Sequence, residues 1–374
     1  MKILHTEASP GWGGQEMRIL KEAMGMRTRG HDVIAAITKG GGLVSPMRQE
    51  GFTVYELPLN KRHQLFKNAI GLASIIRKHA IDIVNTHSSL DSWVGGIVAR
   101  LMRKKVVRTR HLSTNIRKGF NSIVLYGKLA DGVVTTCEDA AAMIRQQANL
   151  SHIRCHSVPT GINTNELNID HDTIQSYRQQ IGVSAQDCLI GTLCFLRTWK
   201  GVQDLLKAAQ MVKGQRHIKW VVIGRGPSEG WLKSLAKELD VERQVVFFGH
   251  ADIPALPLAA LDVFALLSTG NEGVSQASLQ AAYLQKPLIT TPTGGLKEVC
   301  LDGITGCQVS INTPAAVADK AALLANNPQM RMDMGKKARQ LVIEKFTIER
   351  TLDQMEAMYR EVLGNGRSFT PSAR

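Results

Sequence analysis

Several short stretches of this sequence carry residue types that can grip an anionic ligand and handle a proton beside it. Near the N-terminus, Pro10-Gly11-Trp12-Gly13-Gly14 runs into a helical pattern. Paired glycines let a ligand approach the backbone, and the amides of a following helix N-terminus attract negative charge. The spacing is not the GxGxxG dinucleotide fingerprint. The alternative for Gly13 and Gly14 is a tight turn with no ligand. Arg108-Thr109-Arg110-His111 closes an apolar strand and puts Arg110 or His111 at its end. A histidine there can donate a hydrogen bond or act as acid or base near neutral pH. His87, after an apolar run at 81–86, has similar placement and a weaker claim.

The second half holds a basic loop, Phe195-Leu196-Arg197-Thr198-Trp199-Lys200-Gly201, between a strand and a helix. Arg197 can fork onto phosphate oxygens, and Lys200 supplies a compact charge. Gly224-Arg225-Gly226-Pro227 makes another strand-end loop. Thr269 to Ser275 then lead into a helix, with Glu272 in the loop and Gln280 inside the helix. Eight residues apart, they bracket a helix N-terminus whose amides can hold phosphate while side chains grip hydroxyls. Pro292-Thr293-Gly294-Gly295 is a further flexible loop, and Gly40-Gly41-Gly42 reads as a plain strand–helix connection. Ordinary turns with solvated charges are the bland reading of the second-half loops.

The elements that position these residues alternate. Strand patterns fall at 2–5, 33–38, 53–57, 81–86, 105–109, 132–135 and 153–158, with helical patterns at 15–29, 65–78 and 92–102 among them. Such alternation implies parallel sheets covered on both faces. It lapses in the polar stretch 159–187 and resumes with strands at 188–193, 219–223, 244–247, 262–266, 287–290 and 306–309. Three helical segments close the chain, at 314–325, 329–346 and 348–362, and 364–374 reads as a polar tail. The expected division is a first α/β domain over 1–165, a linker over 166–186 and a second α/β domain over 187–345, with 346–374 as terminal helix and tail.

Composition narrows the class. A chain of 374 residues suggests two domains of roughly 100–200 residues each. The six cysteines form no CxxC pair, which argues for reduced core residues in a cytoplasmic protein rather than a metal site. No run approaches the roughly 18 apolar residues of a membrane span. The net charge of +14 is concentrated: 61–128 holds fourteen Lys or Arg against Asp82 and Asp91. A basic field on one lobe favours an anionic partner, with a merely solubilising surface as the alternative. Nucleic acid is not expected, because no aromatic strand platform accompanies the charge.

Taken together, the loop before Lys200-Gly201, Gly224-Arg225-Gly226-Pro227, Glu272-Gly273 and Thr293-Gly294-Gly295-Leu296-Lys297-Glu298-Val299 resemble, in order and spacing, the retaining glycosyltransferases of family 4. The resemblance runs over nearly the whole chain. It implies the GT-B architecture, two Rossmann-like doubly wound domains facing a deep cleft. The C-terminal lobe would take a nucleotide-sugar of UDP, GDP or ADP type and the N-terminal lobe the acceptor. By the same resemblance Gly13 and Gly14 lie near the diphosphate, His111 beside the transferred sugar, Lys200 on phosphate and Glu272 on the sugar. Backbone amides of Gly273, Val274 and Ser275 would hold sugar or phosphate oxygens, and Gly224 lies on the donor side. The terminal helix would pack back on the first lobe. Two departures stand out. Gln280 replaces the second acid of the family's E-x7-E pattern and loses a charge-assisted contact. Phe195 stands where an arginine commonly precedes the phosphate lysine by five residues, with Arg197 placed to substitute.

The implied reaction is sugar transfer with retention, without an obligatory cofactor or metal. The acceptor expected from the resemblance and the basic lobe is a glycan or lipid-linked anionic molecule in bacterial lipopolysaccharide or other cell-surface polysaccharide synthesis. The helix near 65–76, flanked by Lys61, Arg62, Lys67, Arg77 and Lys78, is the candidate for peripheral contact with anionic lipid at the inner face of the membrane. Competing readings are a sugar-nucleotide hydrolase or epimerase, and a non-catalytic nucleotide-sugar-binding protein.

Overall fold

The computed structural model describes residues 1–111, 116, 119–146, 152–270 and 272–364. Beyond Gly364, the expected polar tail lies outside the described residues. The chain forms two units, one of Met1–Pro159 plus the segment from Glu349 onward, the other of Thr160–Ile348.

Unit 1 is built on seven parallel strands: β1 (Lys2–Glu7), β2 (Asp32–Thr38), β3 (Thr53–Leu57), β4 (Ile83–Thr86), β5 (Lys105–Arg110), β6 (Gly132–Thr135) and β7 (Cys155–Ser157). They lie in the order β3-β2-β1-β4-β5-β6-β7. The order reverses beside β1, which pairs with β2 on one side and β4 on the other. Ligands of open α/β sheets bind beyond the strand C-termini at such a reversal.

The strands of unit 1 change character along their length. Ile3-Leu4, Ile83-Val84, Val106-Val107 and Val133-Val134 are buried between helices on the two faces, as a parallel sheet requires. The same strands end on buried polar residues: His5-Thr6-Glu7, Asn85-Thr86-His87, Arg108-Thr109 and Thr135-Thr136. Burying polar groups is costly unless they bond one another. That polar end is where the candidate site lies.

Unit 2 has six strands: β8 (Cys188–Leu193), β9 (Ile218–Ile223), β10 (Val245–Gly249), β11 (Val263–Leu266), β12 (Leu288–Thr290) and β13 (Gly306–Gln308). Their order, β10-β9-β8-β11-β12-β13, reverses between β8 and β11. Trp220 and Ile218 of β9 pack with Leu205 and Leu206 of the helix Val202–Met211 and Leu324 of the helix Pro314–Asn326. These strands stay apolar almost to their ends.

Two stretches differ from the sequence expectation. Residues 166–186, expected as a linker with a short helical stretch near 173–180, fall within unit 2, where that helix runs His171–Gln180. Their polarity conceals an anchor: the buried Arg178 guanidinium donates to the carbonyls of Ala260, Ser184 and Asp187 and to Asp262. The short helices Val44–Gln49, Glu138–Arg145, Ala255–Ala260 and Leu296–Val299 are too brief to show a helical period in sequence.

The helix Ile348–Val362 lies in unit 1. Leu352, Met355, Met358, Tyr359 and Val362 form its buried face, at spacings that repeat with the helix turn. Thr351 donates to the carbonyl of Pro159 at 2.8 Å, and Arg29 pairs with Asp353 and Glu356.

Candidate active-site residues in each unit

In unit 1 the glycine loop leads from β1 into the helix Gly14–Thr28. Gly13 is extended and accepts from the Met17 amide at 3.0 Å. Neither glycine is required by the fold: an added Cβ at Gly14 would meet no atom within 4 Å, and one at Gly13 only Glu16 at 3.6 Å. Gly42 does have a packing reason, since a Cβ there would lie 2.7 Å from the carbonyl of Gly11. The triple glycine expected as a plain connection thus backs the glycine loop.

Glu7, at the end of β1, ties this loop down. Its carboxylate accepts from the Ser9 amide at 2.6 Å, from the Gln15 side-chain amide and from the Ser88 hydroxyl. Burial pushes its carboxyl above the usual range. Asp91 fixes the next strand end. It accepts from Thr6 Oγ1 at 2.7 Å and from the amides of His87 and Ser88, both at 2.9 Å, and so caps the helix Ser89–Leu101.

His111 follows β5 and its ring nitrogen Nε2 lies 3.0 Å from His87 Nδ1; His87 Nε2 in turn lies 2.8 Å from His5 Nδ1. Arg110, the other candidate at this strand end, is turned to the Tyr126 hydroxyl at 2.9 Å. Burial, with Arg18 and Arg108 nearby, holds both His87 and His111 well below the usual histidine pKa; burial also lowers His5. The sequence reading found His111, ranked His87 lower and missed His5, Glu7 and Asp91. The available signal was a polar run ending each apolar strand.

In unit 2, Lys200 follows β8 and Glu272 follows β11, the two strands that flank the reversal. Lys200 Nζ donates to Glu272 Oε1, and Ser268 Oγ donates to the same oxygen at 2.6 Å. Backbone contacts hold the loops in place. Gly201 has φ +71, and a Cβ there would sit 2.0 Å from the Leu267 carbonyl oxygen. Gly294 has φ +53, and its Cβ would fall 1.9 Å from the Glu272 carbonyl oxygen. Any other residue at either position would strain the backbone and part the loops. The Thr291 and Thr293 hydroxyls donate to the Ser268 carbonyl at 2.5 and 2.9 Å. Thr293-Gly294-Gly295, read in sequence as a flexible loop, is a clamp on Glu272.

Ser275 caps the helix Gln276–Tyr283, accepting from the Ser278 amide at 3.3 Å. Gly273 and Ser275 are half-buried, Val274 is buried, and Gln280 is half-buried within that helix. The Gly224 amide, just past β9, is already donated to the Gly249 carbonyl at 2.6 Å. The Arg197 guanidinium lies 4.8 Å from the ring centres of both Phe195 and Trp199. It is therefore stacked beside the residue that stands in the family's arginine position. Among the described residues, no three His, Cys, Asp or Glu side chains gather as a metal site.

Two family models match the chain in tandem: "Glycosyltransferase Family 4" over residues 12–166 and "Glycosyl transferases group 1" over 173–341. An N-acetyl-alpha-D-glucosaminyl L-malate synthase of Bacillus anthracis is 26% identical over 305 residues, 79% of this chain and 79% of that protein. The capsular polysaccharide biosynthesis glycosyltransferase CapM of Staphylococcus aureus is 23% identical over 325 residues, 82% of this chain and 84% of its own. Anabaena Alr3699/HepE, solved in complex with UDP-glucose, superposes with a TM-score of 0.81 at 20% identity, covering 96% of this chain and 100% of that one. With two Rossmann-like sheets and both halves matched in order, the chain belongs to the family 4, group 1 glycosyltransferases of GT-B fold.

Proposed function

We propose that this glycosyltransferase moves a hexose-type sugar from a UDP-linked donor, with retention, onto an anionic glycan or lipid-linked acceptor of a bacterial cell surface. The observation that carries the donor half is the Lys200–Glu272 pair at the sheet reversal of unit 2, beside the capped start of the helix Gln276–Tyr283. A diphosphate arriving there meets an ammonium and oriented amides, which stabilise the leaving nucleoside diphosphate as charge develops. Glu272 then has a carboxylate to offer sugar hydroxyls. Gly13 and Gly14 leave the backbone bare for the reacting centre, and His111 contacts the transferred sugar. Arg197, stacked on two rings, is a preorganised planar cation for phosphate, and Gln280 reaches a hydroxyl as a neutral amide. No covalent carboxylate nucleophile is invoked: departure and attack take place on one face of the sugar.

The UDP preference draws on Alr3699/HepE, and the cell-surface acceptor on CapM. The malate synthase supports an anionic acceptor of a smaller kind. The basic stretch of unit 1 favours either. Within it, the helix Leu65–His79 packs by Asn68, Leu72, Ile75 and Ile76, yet leaves Phe66 81% and Ile70 58% exposed beside Lys67 and Arg77. Exposed apolar side chains flanked by cations suit a peripheral contact with anionic lipid. Flotation with phosphatidylglycerol vesicles should retain the protein, and Phe66→Asp should release it. Equal recovery with neutral vesicles would remove the preference for anionic lipid, and no recovery with either would remove the membrane part of the proposal.

The donor half is tested by thermal stabilisation with UDP-, GDP-, ADP- and CMP-sugars and the free diphosphates. Selective stabilisation by UDP-sugars is expected. Product NMR should then show the donor's anomeric configuration kept. Sugar release at the same rate with and without acceptor would replace the transferase reading by a hydrolase.

A further inference from the structure

The three histidines of unit 1 form one hydrogen-bonded line: His5 Nδ1 to His87 Nε2 at 2.8 Å, and His87 Nδ1 to His111 Nε2 at 3.0 Å. The His5 and His87 rings stack at 15°, with centroids 5.1 Å apart, and the His87 and His111 rings lie at 34° and 5.2 Å. His5 and His87 are fully buried, and His111 is half-buried.

A neutral imidazole has one N–H and one lone pair, so a line of three has only two consistent arrangements. Either every ring carries its proton on Nε2, pointing the line toward His5, or every ring carries it on Nδ1, pointing the line toward His111. The first leaves His111 Nδ1 as an acceptor for a ligand; the second makes it a donor. The depressed basicity of the buried rings keeps the line neutral near pH 7.

The far end decides between the two. His5 Nε2 is buried without a hydrogen-bond partner and faces Glu22 Oε1 at 4.0 Å. That oxygen accepts from the Tyr359 hydroxyl at 2.5 Å and from Asn85 Nδ2 at 3.4 Å, and Asn85 also donates to Tyr359 at 2.7 Å. Every bond made by Glu22 here is an accepted one, as for a carboxylate. Beside it, a proton on His5 Nε2 is attracted, whereas a lone pair would be repelled. Of the surrounding cations, Arg108 donates to the Ser88 carbonyl, and Arg18 donates to that of Val158 and lies 4.0 Å from the other Glu22 oxygen.

We propose that Glu22, His5 and His87 are positioning residues that fix the tautomer of His111, leaving its Nδ1 as a hydrogen-bond acceptor toward a sugar hydroxyl. Of the roles the sequence leaves open for a histidine here, donor, acid or base, this selects the acceptor. The sugar contact rests on the transferase reading; the tautomer control does not.

The test is long-range 1H–15N NMR of the full chain labelled with 15N-histidine, where protonated and bare ring nitrogens resonate far apart. In the unaltered protein, His5, His87 and His111 should all carry their proton on Nε2. A proton on His111 Nδ1 would overturn the proposal without need of any variant. Glu22→Gln offers His5 an N–H donor in place of a carboxylate, so all three tautomers should invert together. A folded Glu22→Gln protein whose His111 is unchanged would also overturn it. With UDP-glucose as donor, Glu22→Gln should lower kcat by about tenfold, the worth of one hydrogen bond at most, with little change in acceptor KM. Should the tautomers invert while no UDP-sugar is turned over by the unaltered protein, the line stands and the donor reading falls.

Discussion

The two units solve the same placement problem with different materials. Both sheets reverse order beside their first strand, and both set candidate residues just beyond strand ends at or next to the reversal: Gly13 and Gly14 after β1 and His111 after β5 in unit 1, Lys200 after β8 and Glu272 after β11 in unit 2. Unit 1 does so with side chains. Glu7, Asp91, Asn85, Glu22 and the histidine line are buried polar groups, each hydrogen-bonded to side chains or amides at the ends of β1, β4 and β5 or on the helices beside them. Unit 2 does so with backbone. Gly201 and Gly294 bring loops into contact at carbonyl oxygens, and the Lys200–Glu272 pair is held by hydroxyls of Ser268, Thr291 and Thr293 that bond Glu272 or the backbone. A side-chain network can define a tautomer and orient a ring. A backbone clamp cannot, but it leaves its amides and a lysine free to meet a diphosphate.

The sharpest way to break the comparison is at Lys200. Its ammonium is the concentrated charge of unit 2, so Lys200→Ala should cut kcat/KM by about 100-fold or more, the scale of one lost electrostatic contact in a transition state. It should also abolish stabilisation by UDP-sugars. The backbone clamp should survive, so the melting temperature without ligand should move little. A large fall in intrinsic melting temperature with donor binding kept would show that the pair serves the fold instead.

In unit 1 the corresponding cut is Tyr359→Phe. It removes the hydroxyl that donates to Glu22 and accepts from Asn85, leaving two buried groups short of a partner. A loss of about 1–3 kcal/mol in unfolding free energy is expected by denaturant titration. Tyr359 sits on the last helix, so this also measures how firmly that helix is fastened. A change within a few tenths of a kcal/mol would mean that the network relaxes around the gap, and that unit 1 is less rigidly built than its hydrogen bonds imply.

The pH response should separate the units as well. His5, His87 and His111 have lowered pKa values in the fold, whereas the unfolded chain takes up protons near 6.5. The unfolded state therefore binds more protons below that point, and stability is complete above it and falls as pH drops. Each histidine adds a slope of up to about 1.4 kcal/mol per pH unit. Asp91, whose carboxyl is pushed up to about 7 by burial, and Glu7 act in the opposite sense and offset part of this slope. The three histidines outnumber them, so unfolding followed by hydrogen exchange should show unit 1 weakening between pH 6.5 and 5 faster than unit 2. His87→Gln should flatten the slope. Equal weakening of both units would point to general acid effects.

How much of this was legible beforehand follows the same divide. The strands at Thr53–Leu57, Gly132–Thr135 and Cys188–Leu193 show in sequence as apolar runs with sharp ends. Lys200, Glu272 and the glycines stand out because each lies in a short loop motif that is recognisable by itself, although the contacts between those loops join segments as far apart as Lys200 and Glu272. The histidine line does not, because its three members come from separate strands and meet only when β1, β4 and β5 lie side by side. The anchoring of 166–186 is hidden for a related reason, since the burial of Arg178 depends on the distant Asp262. Periodicity reports which face is buried; it does not report which buried polar groups will find each other.

The smallest effect on stability is expected at Gly14, where it carries the most information about function. The first helical position of Gly14–Thr28 has helical geometry and no neighbour in the path of a Cβ. Gly14→Ala should therefore leave stability unchanged or raise it by up to about 1 kcal/mol, since alanine holds a helix better than glycine. If a glycine is there only to turn the chain, activity should follow stability and stay intact. If it keeps the backbone bare for a reacting sugar, transfer should fall by an order of magnitude or more while the melting temperature holds. Gly294→Ala supplies the contrast, because its φ of +53 and the Glu272 carbonyl oxygen 1.9 Å from its Cβ make it a fold residue. A stable, inactive Gly14→Ala beside a destabilised Gly294→Ala would establish that the glycine loop of unit 1 serves the ligand and that of unit 2 serves the clamp. Loss of stability at both positions would assign both loops to the fold and leave His111 as the main sugar-facing group of unit 1.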